Sequence, residues 1–337
     1  MVYSRPIKVE KMKYFVTGAT GFIGQEVVRQ LSSAGHSVNA LVREVRRAEK
    51  IKSPGVNLSI GDVTNGDSMR AGMQGVEGIF HIAGWYKVGT RDKSGGERIN
   101  ILGTRNVLEL MKEMHIPKGV YTSTLGIYSD THGKLVDETY SFIGRHLSEY
   151  DRTKAEAHRI ALEMIKSSLP LVIVMPGVVY GPGDTSSLRT VFINYITGKL
   201  PMIPCGTAFT YAHIEDVAHA HILAMEKGKI GETYHICGEA ATVESLMRLA
   251  NQITGIPAPR CMSPNLIKLG ARLMDIFEAF LPVPESYSSE NLRVIAGVTY
   301  LGSNNKAQRE LGYHPRSMQE GIRETLLHEI KLLNEKL

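Results

Sequence analysis

Residues 13–24 read Lys-Tyr-Phe-Val-Thr-Gly-Ala-Thr-Gly-Phe-Ile-Gly, and the order of events along this stretch decides the fold. Lys13 to Thr17 is a β-type run that stops at a glycine. From about Phe22 to Ala34 the pattern turns helical, with Ile23, Val27, Val28 and Leu31 on one side and Gly35 as the stop. Gly18, Gly21 and Gly24 punctuate the turn between them. In a strand–turn–helix setting Gly18 permits the tight turn, Gly21 lets the backbone approach a pyrophosphate, and Gly24 lets the helix lie close to the sheet. The amides at the helix N-terminus then face the phosphate charge. A dinucleotide-binding turn is the expectation.

Working outward, apolar strands are expected at Ser37–Val42, Gly78–Ala83, Gly119–Ser123, Leu171–Met175 and Thr233–Cys237. Helices are expected at Asn100–Met114 and Tyr150–Lys166. Short apolar strands alternating with helices imply a parallel sheet covered on both faces, the Rossmann-type doubly wound α/β class. Past Pro176, Pro and Gly thicken and the alternation weakens. The expected organisation is a dinucleotide-binding domain over residues 12–180, with 211–240 returning to it, and a smaller C-terminal α/β substrate-binding lobe from 181–210 and 241–330.

The 337 residues are 43% hydrophobic and 22% charged, ordinary for a globular chain. A net charge of +5 is too mild and scattered to call for nucleic acid. The three cysteines, Cys205, Cys237 and Cys261, lie far apart without CxxC spacing, so neither a disulfide nor a metal site is expected, and a reducing cytoplasm fits. Met1–Lys13 lacks the apolar run of a signal peptide, and no stretch is long and apolar enough for a membrane span. Leu266–Leu281, broken by Lys268, Arg272, Asp275 and Glu278, reads as an amphipathic helix that faces the core or covers a pocket rather than a membrane.

The second strand ends Val38-Asn39-Ala40-Leu41-Val42-Arg43. An acidic residue there would hold the ribose hydroxyls of NAD. It is missing, and Arg43 stands beside its place, where a guanidinium suits the 2′-phosphate of NADP, with Arg46 or Arg47 assisting. Glu44, one step on, dissents. Asp62, after a third strand, is placed to accept from an adenine amino group.

Tyr150 and Lys154 are four apart on an expected helix and share a face. A free phenol, pKa about 10, is too weak an acid at neutral pH; a nearby ammonium lowers it. Tyr121-Thr122-Ser123-Thr124 closes the preceding strand, where hydroxyls emerge at the ligand-binding edge. Ser123 and Thr124 are both candidates to donate to a substrate oxygen.

These motifs together resemble the extended short-chain dehydrogenase/reductase superfamily (NAD-dependent epimerase/dehydratase family), in particular its dihydroflavonol 4-reductase-like branch. The match runs from Lys13 to about Leu327. It comprises Thr17–Gly24, His81-Ile82-Ala83-Gly84, Asn100–Leu108, Tyr121–Tyr128, Tyr150–Lys154, Met175–Gly183, His213–Ala218 and Lys306–Tyr313. The resemblance implies that Thr124 rather than Ser123 takes the catalytic hydroxyl place, beside Tyr150 and Lys154, and that Asn100 supports the site. It implies cofactor contacts from Thr20, Phe22 and Ile23 beside the glycines, from Val63 beside Asp62, and from Ala83, Pro176, Val178 and Val179. It leaves a homodimer open, built from the helices bearing Asn100 and Tyr150.

The superfamily also holds nucleotide-sugar epimerases and dehydratases with tightly bound NAD. Those enzymes carry an arginine where this chain has Phe209-Thr210. Arg293 alone stands near the place of a second phosphate-binding arginine. With Arg43, this favours reduction of a ketone or aldehyde by NADPH. A pocket wall of Trp85, Tyr86, Tyr128, Val178, Val179, Tyr180, Phe209 and Tyr211 implies a small, largely apolar or aromatic substrate. Lys87 and Arg91, in the glycine-rich loop 84–96, read as solvated charges. A non-catalytic NADPH-binding scaffold is a third reading, against which both Tyr150 and Lys154 stand.

Overall fold

Six strands from the first part of the chain lie parallel in one sheet: β1 (Lys13–Thr17), β2 (Ser37–Val42), β3 (Val56–Ile60), β4 (Gly78–His81), β5 (Gly119–Thr122) and β6 (Leu171–Pro176). The computed structural model describes residues 10–278, 280–281 and 283–335. In it β1 pairs with β2 on one side and β4 on the other, so chain order reverses at β1. That reversal opens a crevice at the C-terminal ends of β1 and β4, where such sheets bind ligands.

The later strands are β7 (Val178–Tyr180), β8 (Met202–Pro204), β9 (Ala208–His213), β10 (Thr233–Ile236), β11 (Ala240–Thr242), β12 (Arg260–Met262) and β13 (Thr299–Tyr300). β10 pairs with β6 and completes the order β10-β6-β5-β4-β1-β2-β3. β9 gathers β7, β11 and β13 into a second sheet, and β8 pairs with β12.

The helices are α1 (Phe22–Ser33), α2 (Asp67–Met73), α3 (Thr104–Glu113), α4 (Glu149–Lys166), α5 (Ser187–Ile196), α6 (Ile214–Lys227), α7 (Val243–Thr254), α8 (Pro264–Phe277), α9 (Ser289–Val294), α10 (Asn305–Leu311) and α11 (Met318–Asn334). α1 and α6 bury Val27, Leu31, Val217 and Ala224 on one face of the large sheet. α3 and α4 bury Val107, Leu108, Ala157 and Ile160 on the other. Helices on both faces explain why β4, β5 and β6 are apolar runs rather than alternating ones. α5, α7 and α11 close a third core around Phe192, Leu246 and Ile322.

Three expectations need correction. The helix expected from Asn100 begins earlier, as a π-helical turn over Gly96–Gly103 that leads into α3. Cys205 and Cys261 are disulfide-bonded. Parallel pairing of β8 with β12 brings their Cα atoms to 5.3 Å across a separation of 56 residues, which no local spacing could reveal. α8 ends at Phe277; it buries Ile267 and Ala271 but turns its leucines outward instead of into a core. Ala279, inside the expected helix, lies outside the described residues.

Candidate active site

The glycine turn is built by close backbone contact. Gly18 has φ +68, and a Cβ there would lie 2.6 Å from the Ala83 amide nitrogen, so the turn rests on the end of β4. A Cβ on Gly24 would collide with the Gly18 carbonyl, so here the third glycine seats α1 on the turn itself. α1 starts at Gly21 with no side chain capping it, which leaves the first-turn amides to a ligand. Thr20, Phe22 and Ile23 lie within this turn and first helical residues.

At the end of β2, Arg43 is exposed and makes no ion pair among the described residues. The dissenting Glu44 is 2.6 Å from the Arg46 guanidinium, which holds its carboxyl below the usual range. Asp62 Oδ1 accepts from the Thr64 amide at 2.9 Å, and Val63 is buried against Gly103.

Tyr150 and Lys154 lie in the first turns of α4, which Ser148 starts by accepting from the Asp151 amide at 3.0 Å. Thr124, just past the end of β5, accepts from the Gly126 amide at 3.0 Å, and its hydroxyl lies near enough to Tyr150 to act on the phenol. Ser123 instead meets His158 Nδ1 at 2.9 Å. The two hydroxyls therefore have different neighbours, and Thr124 is the one that acts on Tyr150.

Lys154 is buried, and its Nζ donates to the Thr122 carbonyl at 2.7 Å and to the Tyr121 hydroxyl at 3.3 Å. Burial pulls its pKa down to about 7. Burial also pushes Tyr150 up to about 12, with the Thr124 hydrogen bond opposing. This departs from the expected phenol acidified by the lysine: the ammonium is engaged with strand β5, not with Tyr150. The acidifying field therefore needs a further positive charge in the crevice.

Asn100, buried in the π-helical turn, donates to the Trp85 carbonyl and to Thr153 Oγ1, each at 3.0 Å, and accepts from the Trp85 amide at 2.7 Å. It ties the loop after β4 to α4 one residue before Lys154. π-helical insertions recur at functional sites.

A chain of buried hydrogen bonds escaped the sequence reading. Thr17 Oγ1 meets His81 Nδ1 at 2.8 Å and accepts from the Ala83 amide at 3.2 Å. His81 Nε2 meets Thr104 Oγ1 at 3.0 Å, the Thr104 hydroxyl acts on the neighbouring Tyr121 phenol, and Tyr121 receives Lys154. The chain joins the glycine turn to the lysine. In the sequence His81 stands only as part of the His81–Gly84 motif; its place at the end of an apolar strand is the signal that points to a buried role.

Several expected pocket residues are core. Tyr128 is buried with its hydroxyl 2.9 Å from His235 Nε2. Tyr180 is buried against Gly321 and His213, and Tyr211 packs in the third core. They are large, and the core between sheets and α11 claims them first. Phe209 is half-buried and stacks on Tyr300 at 5.5 Å; Val178 and Val179 are half-buried on β7 beside β9. Trp85 is half-buried over Gly95, and Tyr86 is exposed. Pro176 closes β6.

A cavity of about 180 Å³ lies between loop 84–96 and α9, lined by Thr90, Arg91, Lys93, Glu278, Ser289 and Glu290 among others. Glu290, buried, accepts from the Glu149 amide at 2.6 Å, next to Tyr150, and lies 2.7 Å from Lys93 Nζ. Arg91 is exposed, as expected, and also donates to the Leu281 carbonyl at 2.7 Å, which tethers the loop. Arg293 is occupied by Asp275 at 2.9 Å. Lys87 is exposed.

Residues 14–237 match the model of the family described as "NAD dependent epimerase/dehydratase family". The chain is 30% identical over 320 residues to a putative dihydroflavonol 4-reductase of Synechocystis, covering 92% of each chain. It is 28% identical to the 4-hydroxy-2-methyl-3-oxo-4-farnesyl-3,4-dihydroquinoline-1-oxide ketoreductase of Stigmatella aurantiaca, over 92% of this chain and 95% of that one. Among solved structures, that of gox2253 superposes with TM-score 0.83 at 28% identity, covering 96% of this chain and 99% of the other.

Proposed function

The chain belongs to the NAD-dependent epimerase/dehydratase family, and from that premise we propose that it is an NADPH-dependent reductase that converts the ketone or aldehyde of a small, largely apolar or aromatic molecule to an alcohol. Family membership makes it an NAD(P)-dependent enzyme of the oxidoreductase type. The observation that carries the proposal is the Thr124–Tyr150 hydroxyl pair at the sheet edge, with Lys154 buried behind it.

The residues present fit a dinucleotide: the uncapped start of α1, the Gly18 turn that no side chain can enter, and the unpaired guanidinium of Arg43. Gly18, Thr20, Gly21, Phe22, Ile23 and Gly24 would hold its pyrophosphate, and Arg43 the 2′-phosphate. Asp62 and Val63 would border the adenine, and Ala83, Pro176, Val178 and Val179 the nicotinamide end. When bound, the cofactor supplies a hydride and, once oxidised, a positive charge.

Tyr150 gives its proton to the carbonyl oxygen as that oxygen gains negative charge. Thr124 donates to the same oxygen, so two donors stabilise it. Lys154, one helical turn on, is fixed by the Thr122 carbonyl, and together with the positive charge the oxidised cofactor would supply it favours the phenolate that remains. Trp85, Tyr86 and Phe209 form the apolar side of the site. Phe209 cannot neutralise a diphosphate, and Arg293 is committed to Asp275; both favour an uncharged carbonyl compound over a nucleotide sugar. The name of the Stigmatella ketoreductase agrees with this class.

The test is a panel of aromatic and long-chain ketones and aldehydes, with nucleotide sugars beside them, read by NADPH absorbance. A carbonyl compound should consume NADPH, and Tyr150→Phe should lower kcat by about 100-fold or more. Protein that carries tightly held NAD and interconverts a nucleotide sugar would overturn the reading.

A further inference from the structure

α8 carries apolar residues on two sides. Ile267 and Ala271 are buried beneath it. On the other side Leu266, Leu269, Leu273, Ile276 and Phe277 fall within a single stripe at helical spacing, and Phe280 follows past the end of the helix. All are exposed, Leu266 by 61%, Ile276 by 62% and Phe280 by 82%. Scattered exposed leucines need no explanation, but a continuous stripe along one helix does.

The charges around the stripe are sorted by sign. Lys268 and Arg272 are exposed along one margin, and neither is in an ion pair among the described residues. The acidic residues of the same segment are engaged: Asp275, exposed beside Lys268, with Arg293 at 2.9 Å, and Glu278 with the Ser289 amide at 2.7 Å. Arg145, also exposed, stands close enough to Asp275 to act on its charge, and Ile143, two residues before it, is 94% exposed. The free face is thus apolar in the middle and basic at the margin.

From this arrangement we infer that α8 docks the enzyme on the surface of an anionic lipid bilayer, its leucine–phenylalanine stripe entering the acyl boundary and Lys268 and Arg272 meeting the headgroups. An apolar stripe with basic flanks is what an interfacial helix needs, since apolar burial and electrostatic attraction to anionic lipid act together. A symmetric second copy would bring the same unpaired cations to one seam. No helix among the described residues is long and apolar enough to cross a membrane, so the contact is with the surface. Arg91 tethers loop 84–96 to the Leu281 carbonyl, and the cavity lined by Glu278 and Glu290 lies between this segment and Tyr150. Docking therefore sets the cavity beside lipid, where an apolar carbonyl compound is concentrated. That consequence rests on the reductase reading; the docking does not.

The experiment is flotation of the full chain with vesicles of equal phosphatidylglycerol and phosphatidylcholine, against phosphatidylcholine alone. The protein should float with the anionic vesicles and do so less at high salt. Leu273→Glu/Ile276→Glu and Lys268→Ala/Arg272→Ala should each weaken binding on the order of tenfold, with thermal unfolding and soluble-substrate turnover unchanged. No flotation of the unmodified chain, or flotation undiminished in both variants, overturns the docking. So does a concentration-dependent dimer that Leu273→Glu/Ile276→Glu dissociates without any flotation, which assigns the stripe to a second copy. Flotation without turnover of any carbonyl compound supports the docking while removing the reductase reading.

Discussion

At the scale of single residues, the proposed preference for NADPH rests on Arg43. Its neighbour Glu44 is engaged by Arg46 at 2.6 Å, and among the described residues Arg43 itself makes no ion pair. Arg43→Ala is expected to raise KM for NADPH about tenfold or more while leaving NADH nearly untouched, since a charge-assisted pair contributes about 1.5–3 kcal/mol. Equal loss with both cofactors in steady-state kinetics would remove the argument. Asp151 gives a second expectation, for stability against pH. It is buried, accepts from Ser129 at 3.2 Å and from Tyr300 at 3.3 Å, and burial raises its pKa from 3.8 to about 7. The folded chain keeps a proton that the unfolded chain has lost, so Asp151's contribution is full below 3.8 and fades as pH rises to about 7. Asp151→Asn should flatten that part of the urea-unfolding profile; unchanged slopes for both proteins would refute it. The place of Arg43 was legible because it depends only on where one strand ends. Asp151 was not, because Tyr300 reaches it from 149 residues away.

At the scale of elements, the π-helical turn joins the loop after β4 to α4 through one side chain. Asn100→Ala leaves the Trp85 carbonyl and amide and Thr153 without their buried partner. The expected cost is about 1–3 kcal/mol of stability, with kcat falling more than KM for NADPH changes, because Lys154 shifts while the glycine turn does not. Chemical denaturation with kinetics on the same preparation checks both; a large KM change with kcat intact would place Asn100 elsewhere. The strands of the large sheet and the helix bearing Tyr150 were readable from periodicity, because each is long enough to show its period. β7, β8, β11, β12 and β13 have two or three residues each, too few for any period. The amphipathic character of α8 was readable, but not which of its faces the molecule would leave uncovered.

At the scale of the whole molecule, burial of neutral histidines dominates the response to acid. His81 is held down to about 3, and His158, His221 and His235 to about 4, each mainly by burial. Their contribution is present above the ordinary value of 6.5 and is lost as pH falls toward those depressed values, because the unfolded chain takes up protons that the folded chain refuses. This opposes Asp151, Glu138 and Asp184, whose carboxyls burial raises, but with His146 and His213 also lowered, six histidines outweigh three carboxyls. The urea midpoint should therefore fall steadily from pH 6.5 to about 4.5; a midpoint that rises on acidification would contradict the buried neutral rings. The doubly wound topology was legible because alternating strands and helices admit few other arrangements. The Cys205–Cys261 bond was not, because only the pairing of β8 with β12 brings the two together.

The return of β10 to the large sheet governs the order in which the molecule can be made. β6 is apolar and buried at every position, and β10 is its partner on the outer side. While the chain emerges from the ribosome, the six strands that end at Pro176 are complete before Thr233 has been synthesised. Throughout that interval the nascent sheet presents β6 as an open, apolar edge, the kind that recruits other strands. A chain released before Thr233 should therefore aggregate, whereas one extended through Ile236 should gain the strand that closes the sheet.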